Sequence, residues 1–91
     1  MVVTYDPAKR AWTLRARGLD FEDAVHVSAG PRFEAEDRRK HYGEQRIRCF
    51  GFLERRMVVV VYTPRGESRH VFSMRKANDR EKARYTRKVW L

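Results

Sequence analysis

The chain has 91 residues, 42% of them hydrophobic and 36% charged, and its 21 Lys and Arg against 12 Asp and Glu give a net charge of +9. A chain this short holds one domain, residues 1–91, with one modest core and no room for a second catalytic lobe. Periodic apolar segments exclude a disordered tail, no run is long enough to span a membrane, and the N-terminus lacks the apolar stretch of a signal peptide, so the expected compartment is the cytoplasm.

The opening residues VVTY read as a short strand. Asp6 then stands as an N-cap before Pro7 at the first helical position, and Gly18 stops the helix, whose Ala8, Ala11, Trp12 and Ala16 are expected to share one face. Asp20 begins a second helix with Phe21, Ala24 and Val25 as its buried stripe, ended by Gly30 and Pro31.

Beyond Pro31 the apolar period changes from helical to alternating, which predicts an antiparallel sheet. RFEAE is a short first strand. EQRIRCFGF is the next, with Ile47 and Cys49 facing one way and Arg46, Arg48 and Phe50 the other. The unbroken valines of RMVVVVYT predict a central strand covered on both faces. PRG makes a turn, and SRHVFSMR alternates: His70, Phe72 and Met74 on one face, Arg69, Val71, Ser73 and Arg75 on the other. Asn78 followed by Glu81 is a capping-box pattern opening a C-terminal helix with Tyr85 and Val89 inward. The fold class is therefore α+β: an N-terminal strand and two helices packed on an antiparallel sheet of three to five strands, with a C-terminal helix.

The positive charge is concentrated in residues 44–91, which hold 13 basic and 5 acidic side chains. Such a field attracts polyanions: nucleic acid first, an acidic protein second, an anionic membrane surface third. Arginine outnumbers lysine more than two to one, and its planar fork suits phosphate. His26, His41, His70 and the single Cys49 show no paired metal-ligand spacing, so no metal is expected, and no glycine-rich phosphate loop or hydrolase elbow is present, so no cofactor is expected either.

What remains is a constellation of cations with a few proton-transfer groups. Arg46 and Arg48 from one strand, with Arg69 and Arg75 from another, are expected to line an open sheet face that holds a phosphate backbone, with Tyr62 or Phe50 as a stacking ring. His41 reads either as a solvated loop histidine or as a general acid or base, and Glu44 either as a surface ion pair or as a group orienting a hydroxyl. Arg75 and Lys76 sit where a strand ends and a helix N-terminus begins, a place that attracts anions.

Three stretches in order, YDPAKRAWTLRARGLDFEDA, HYGEQRIRCFG and VVVVYTPRGESRHVFSMRKANDREKARY, resemble the BrnT family of bacterial type II toxin-antitoxin toxins, which have a RelE-like ribonuclease fold. The chain departs from the family pattern at Thr13, at Ala16-Arg17 where Lys-His is common, and at Met74 where a small residue is common. The resemblance implies metal-independent cleavage of RNA, growth inhibition, and neutralisation by a cognate antitoxin encoded beside the toxin, with dimerisation through that antitoxin. On this reading Arg46, Arg65, Arg75 and Lys76 contact phosphate, Arg75 stands at the scissile group, Arg48 and Arg69 bind RNA, and His41, Glu44 or Tyr85 shuttle protons. The alternative is a basic nucleic-acid-binding module, or inactive toxin homologue, without catalysis.

Overall fold

The computed structural model describes residues 2–91. Its elements run β1 (Val2–Tyr5), α1 (Pro7–Arg17), a 3-10 turn (Phe21–Asp23), α2 (Ala24–Ala29), β2 (Arg32–Glu36), β3 (Ile47–Leu53), β4 (Arg56–Arg65), β5 (Ser68–Lys76) and α3 (Asp79–Trp90). The five strands form one sheet in the order β1-β5-β4-β3-β2. This is the expected α+β arrangement, with one refinement: β1 pairs parallel to β5, so the sheet is mixed, while the other neighbours are antiparallel. No helix among the described residues is long and apolar enough to cross a membrane.

The helix ends follow their caps. Asp6 accepts from the Ala8 amide at 2.9 Å, Pro7 opens α1, and Gly18 closes it at φ 69, a left-handed conformation that a side chain would strain. The buried face of α1, however, is not the expected one. Ala8, Ala11, Trp12 and Ala16 are exposed, and Thr13 is the buried residue of the helix. Two polar tethers set this rotation. Arg10 forks onto Asp20 at 2.8 and 2.9 Å, and Arg17 donates to the Met74 carbonyl at 3.1 Å, so positions 10, 13 and 17 turn inward together. In the next element Phe21 and Ala24 are buried as expected, but Val27 takes the place foreseen for Val25. Gly51 explains the fit: a Cβ there would lie 2.7 Å from Val27 Cγ1, so only glycine lets α2 rest on β3.

β4 is central and covered on both sides. Val58, Val60 and Tyr62 meet Phe21, Val27 and Met74 in one core layer under the N-terminal helices. Met57, Val59 and Phe50 meet Tyr85 and Val89 in a second layer under α3. Each of these large apolar side chains contributes roughly 1.5–3 kcal/mol by leaving water. The helix α3 covers only part of its face, and the remainder of that face is open.

Two irregularities shape the sheet. Val61 pairs with Ser73 and Tyr62 with Val71, which leaves Phe72 as an unpaired bulge residue. One extra residue inverts the alternation, so the expected common face of His70, Phe72 and Met74 is split: Met74 and Val71 lie in the core, whereas Phe72 and Ser73 line the open face. The β4–β5 turn also falls later than expected. Pro64 and Arg65 still pair with Arg69 and Ser68, and the reversal is made at Gly66 and Glu67. The ladder between β3 and β4 stops at Tyr62, so Pro64 has a strand on one side only and its missing amide removes no β3 bond.

The β3–β4 connection is a two-residue reversal in which Glu54 has φ 50 and Arg55 φ 68. Both need the left-handed region that Asn and Gly adopt at little cost. The double substitution Glu54→Asn/Arg55→Gly is expected to stabilise the fold by about 1 kcal/mol in urea unfolding.

Candidate nucleic-acid interface

The open part of the α3 face forms a cleft of about 340 Å³ lined by cations from three places: Lys9 of α1, Arg39 and Arg46 of the loop between β2 and β3, and Arg48 and Arg75 of the sheet. Tyr42, Phe72, Val61 and Ser73 supply its uncharged walls. The strand alternation places Arg46 and Arg48 two apart on the same side of the chain entering β3. Rings then hold them: the Arg46 guanidinium lies between Tyr42 and Phe72, 4.3 and 4.1 Å from their centroids, and that of Arg48 lies 5.7 Å from Phe50. The Nε atoms of both arginines are buried and have no hydrogen-bond partner. A buried guanidinium donor without an acceptor is costly.

The carboxylates beside the cleft are already committed. Asp37 is buried and accepts from Arg39 Nε and Nη2 at 2.9 and 2.8 Å and from the Tyr42 hydroxyl at 3.1 Å. The Arg39 guanidinium holds its carboxyl well below the usual range. Glu81 accepts both terminal nitrogens of Arg75 at 2.7 Å, and its Oε1 also accepts from the Asn78 amide at 3.0 Å, completing the foreseen capping box. The Arg75 fork, first, and then the Asn78 amide hold the Glu81 carboxyl down to about 2. Arg75 is thus both a wall of the cleft and the tie between the end of β5 and the start of α3.

The other residues singled out in the sequence fall elsewhere. The expected grouping of Arg69 with Arg46, Arg48 and Arg75 does not form, because the bulge at Phe72 sends Arg69 to the opposite face. There its guanidinium lies 4.7 Å from the Tyr62 ring and donates to Ser28 Oγ at 3.1 Å. Tyr62 itself donates to Glu34 at 2.5 Å, inside the sheet and away from the cleft. Lys76, one residue past Arg75, lines a different pocket with Arg17, Gly18 and Leu19. Arg65 pairs with Glu44 at 3.6 Å. His41 is exposed on the loop 37–46, which encloses a second hollow of about 480 Å³ that shares Asp37, Tyr42 and Arg46 with the cleft. Tyr85 is buried in the core, stacked on Phe50 at 3.9 Å and Phe33 at 5.7 Å. His70, read as packing, is half-buried edge-on to Phe72 with Nδ1 2.8 Å from Thr4 Oγ1; burial and the Arg65 charge lower its pKa. Burial pushes the Cys49 thiol up to about 12, which leaves it unreactive.

Sequence reasoning missed Lys9, Arg39, Asp37 and Tyr42. They come from the first helix and a loop, and no periodicity links either to the strands. Among the described residues no group of three His, Cys, Asp or Glu is placed to hold a metal ion.

A protein-family model described as "Ribonuclease toxin, BrnT, of type II toxin-antitoxin system" matches residues 5–81. The chain belongs to the BrnT family. No curated protein matches it. Thr13 and Arg17 line a small pocket with Phe72 and Ser73, and Arg17 donates to the carbonyl of Met74. Phe72 and Ser73 also line the cleft, so this cluster lies directly against the cleft wall.

The Arg75–Glu81 pair makes stability pH-dependent. Because the Glu81 pKa is lowered on folding from 4.5 to about 2, its contribution is complete above about 4.5 and is lost as pH falls towards 2. Arg75→Ala is expected to cost about 1–2 kcal/mol at pH 7 in urea unfolding, and to flatten the loss of stability between pH 4.5 and 2.

Proposed function

We propose that this chain is an endoribonuclease toxin that grips the RNA phosphate in the cleft between Arg46, Arg48 and Arg75 and cuts without a metal ion. The observation that carries this reading is the convergence of five cations, Lys9, Arg39, Arg46, Arg48 and Arg75, on one cleft. Fixed cations in a site this poor in free carboxylate suit the charge that develops when a phosphodiester becomes a five-coordinate phosphorane.

The reaction needs no outside reagent. The ribose 2′-oxygen attacks the adjacent phosphorus, the bond to the 5′-oxygen of the next nucleotide breaks, and a 2′,3′-cyclic phosphate and a 5′-hydroxyl result. One proton leaves the 2′-hydroxyl and one is delivered to the departing 5′-oxygen. Arg46 and Arg48 are assigned to the phosphorane oxygens, and Arg75, held rigid by Glu81, to orientation of the same phosphate. His41, on the loop that shares Tyr42 and Arg46 with the cleft, is assigned to proton transfer, since an imidazole both takes and gives a proton near neutral pH. Lys9 stands at the cleft as a further cation for the leaving oxygen. An antitoxin partner, as type II systems require, neutralises the chain by covering this face, and the cell's cytoplasm is where both would meet RNA.

A second reading is a non-catalytic RNA-binding module. It is favoured by the state of Asp37, the carboxylate of the cleft lining, which is saturated by Arg39 and Tyr42 and is no free base. Labelled RNA incubated with the protein and a chelator separates the two. Cleavage is expected to persist with chelator and to fall by about 100-fold or more in His41→Ala while binding remains. Arg46→Gln/Arg48→Gln is expected to weaken binding and to lower the salt slope of affinity by about 1.4. Intact RNA with retained salt-sensitive binding overturns the enzyme in favour of the module. Growth inhibition on expression, relieved by the neighbouring reading frame, tests the antitoxin.

A further inference from the structure

The helix α3 continues nine residues past the end of the family match at residue 81, and its exposed surface carries Arg80, Arg84, Arg87 and Lys88. Glu81, Arg84 and Lys88 recur at i, i+3 and i+7 and so lie along one flank. The direction of that flank is set by Glu81, whose carboxylate reaches the cleft residue Arg75. Arg80 and Arg87 adjoin Arg84 at i−4 and i+3 but lie farther round the helix from the buried Tyr85 and Val89; all four cations are exposed.

The flank beside the cleft is not a loose charge run. The Lys88 ammonium lies 5.1 Å from the Phe33 centroid and 5.6 Å from that of Tyr85, and the Arg84 guanidinium lies 5.5 Å from Tyr85. Tyr85 stacks on Phe50, and Arg48 of the cleft lies over Phe50. One aromatic row, Phe33–Tyr85–Phe50, therefore carries Arg84 and Lys88 at one end and Arg48 at the other. Among the described residues neither Arg84 nor Lys88 has a carboxylate partner, nor do Arg80 and Arg87, whereas Lys82 pairs with Asp79 and Arg75 with Glu81. From residue 81 to residue 88 the helix advances about 10 Å, enough to extend a phosphate path beyond the cleft.

We infer that Arg84 and Lys88 form a second phosphate-binding track, continuous with the cleft, that holds the backbone of single-stranded RNA flanking the bound phosphate. This rests on the proposed reading of the cleft and adds its substrate class: a strand longer than the cleft itself, gripped without regard to base. Contacts of this kind give affinity that is independent of sequence and dependent on salt.

The test compares the salt dependence of binding for an oligoribonucleotide of about a dozen nucleotides. Arg84→Gln/Lys88→Gln is expected to lower the slope of log affinity against log salt by about 1.4, the release expected for two phosphate contacts on a single strand. It is also expected to raise KM for cleavage more than it lowers kcat. Arg80→Gln/Arg87→Gln removes the same charge from the outer flank and is expected to change the slope by less than half as much. Thermal melts check that the variants are folded; where the double variant is not, Arg84→Gln and Lys88→Gln singly are each expected to lower the slope by about 0.7. A slope change no larger than that of the outer-flank variant overturns the track and leaves these cations to an acidic protein partner. If Arg46→Gln/Arg48→Gln lowers the slope in the same experiment, the cleft stands and the track alone fails; if it does not, both fall.

Discussion

β4 is buried on both faces, so each strand beside it must send alternate side chains into two different layers. β5 meets this constraint only by changing its alternation partway along. Phe72 is left unpaired opposite the Val61–Tyr62 step, and every residue beyond it faces the other way from where strict alternation would put it. Met74 thereby reaches the core under the N-terminal helices, while Ser73 and Arg75 reach the open face beside Arg46 and Arg48. Without the inversion the aliphatic and cationic ends of β5 would exchange places, a charge would enter the core, and the cleft would lose one wall.

The open face owes its shape to how little of it α3 covers. The helix packs its Tyr85 and Val89 against Phe50, Met57 and Val59, and then stops short of Val61. Its first turn is tied to the sheet by Arg75 and Glu81, so the edge of the helix becomes one side of the cleft. The same pair ties β5 to α3 and fixes the Arg75 guanidinium at the cleft wall. Arg46 and Arg48 are different. They lean on rings but have no carboxylate partners, and their buried Nε donors are the one polar debt this face leaves open.

Family membership and geometry support each other at different levels. The match to BrnT ribonuclease toxins covers residues 5–81 and names the class of activity. The sheet face gathers cations from α1, the loop after β2, β3 and β5 around one cleft, the place proposed for that activity. Thr13 and Arg17 pack behind Phe72 and Ser73, and Arg17 is tied to the Met74 carbonyl, so α1 backs the cleft wall.

Much of the architecture was legible in the amino-acid order, because it depends on neighbours along the chain. Asp6 and Pro7, Asn78 with Glu81, and Gly18 mark helix ends through bonds a few residues long. The valines of β4 announce a doubly covered strand, and Ile47 with Cys49 against Arg46 and Arg48 follows from simple alternation. The inward face of α1 was not legible, since apolar spacing pointed to Trp12 while the tethers of Arg10 to Asp20 and Arg17 to Met74 turned Thr13 inward. Nor was the separation of Arg69 from Arg75, because a bulge is a mismatch between two strands and neither strand carries it alone; Lys76 parts from Arg75 by simple alternation. What the sequence determined by itself was the set of elements and the excess of cations, both properties of local periodicity and composition. Which cations share a cleft was decided only by the tertiary structure, through the bulge, the rotation of α1 and the reach of the loop 37–46, all of them contacts between residues far apart in the chain.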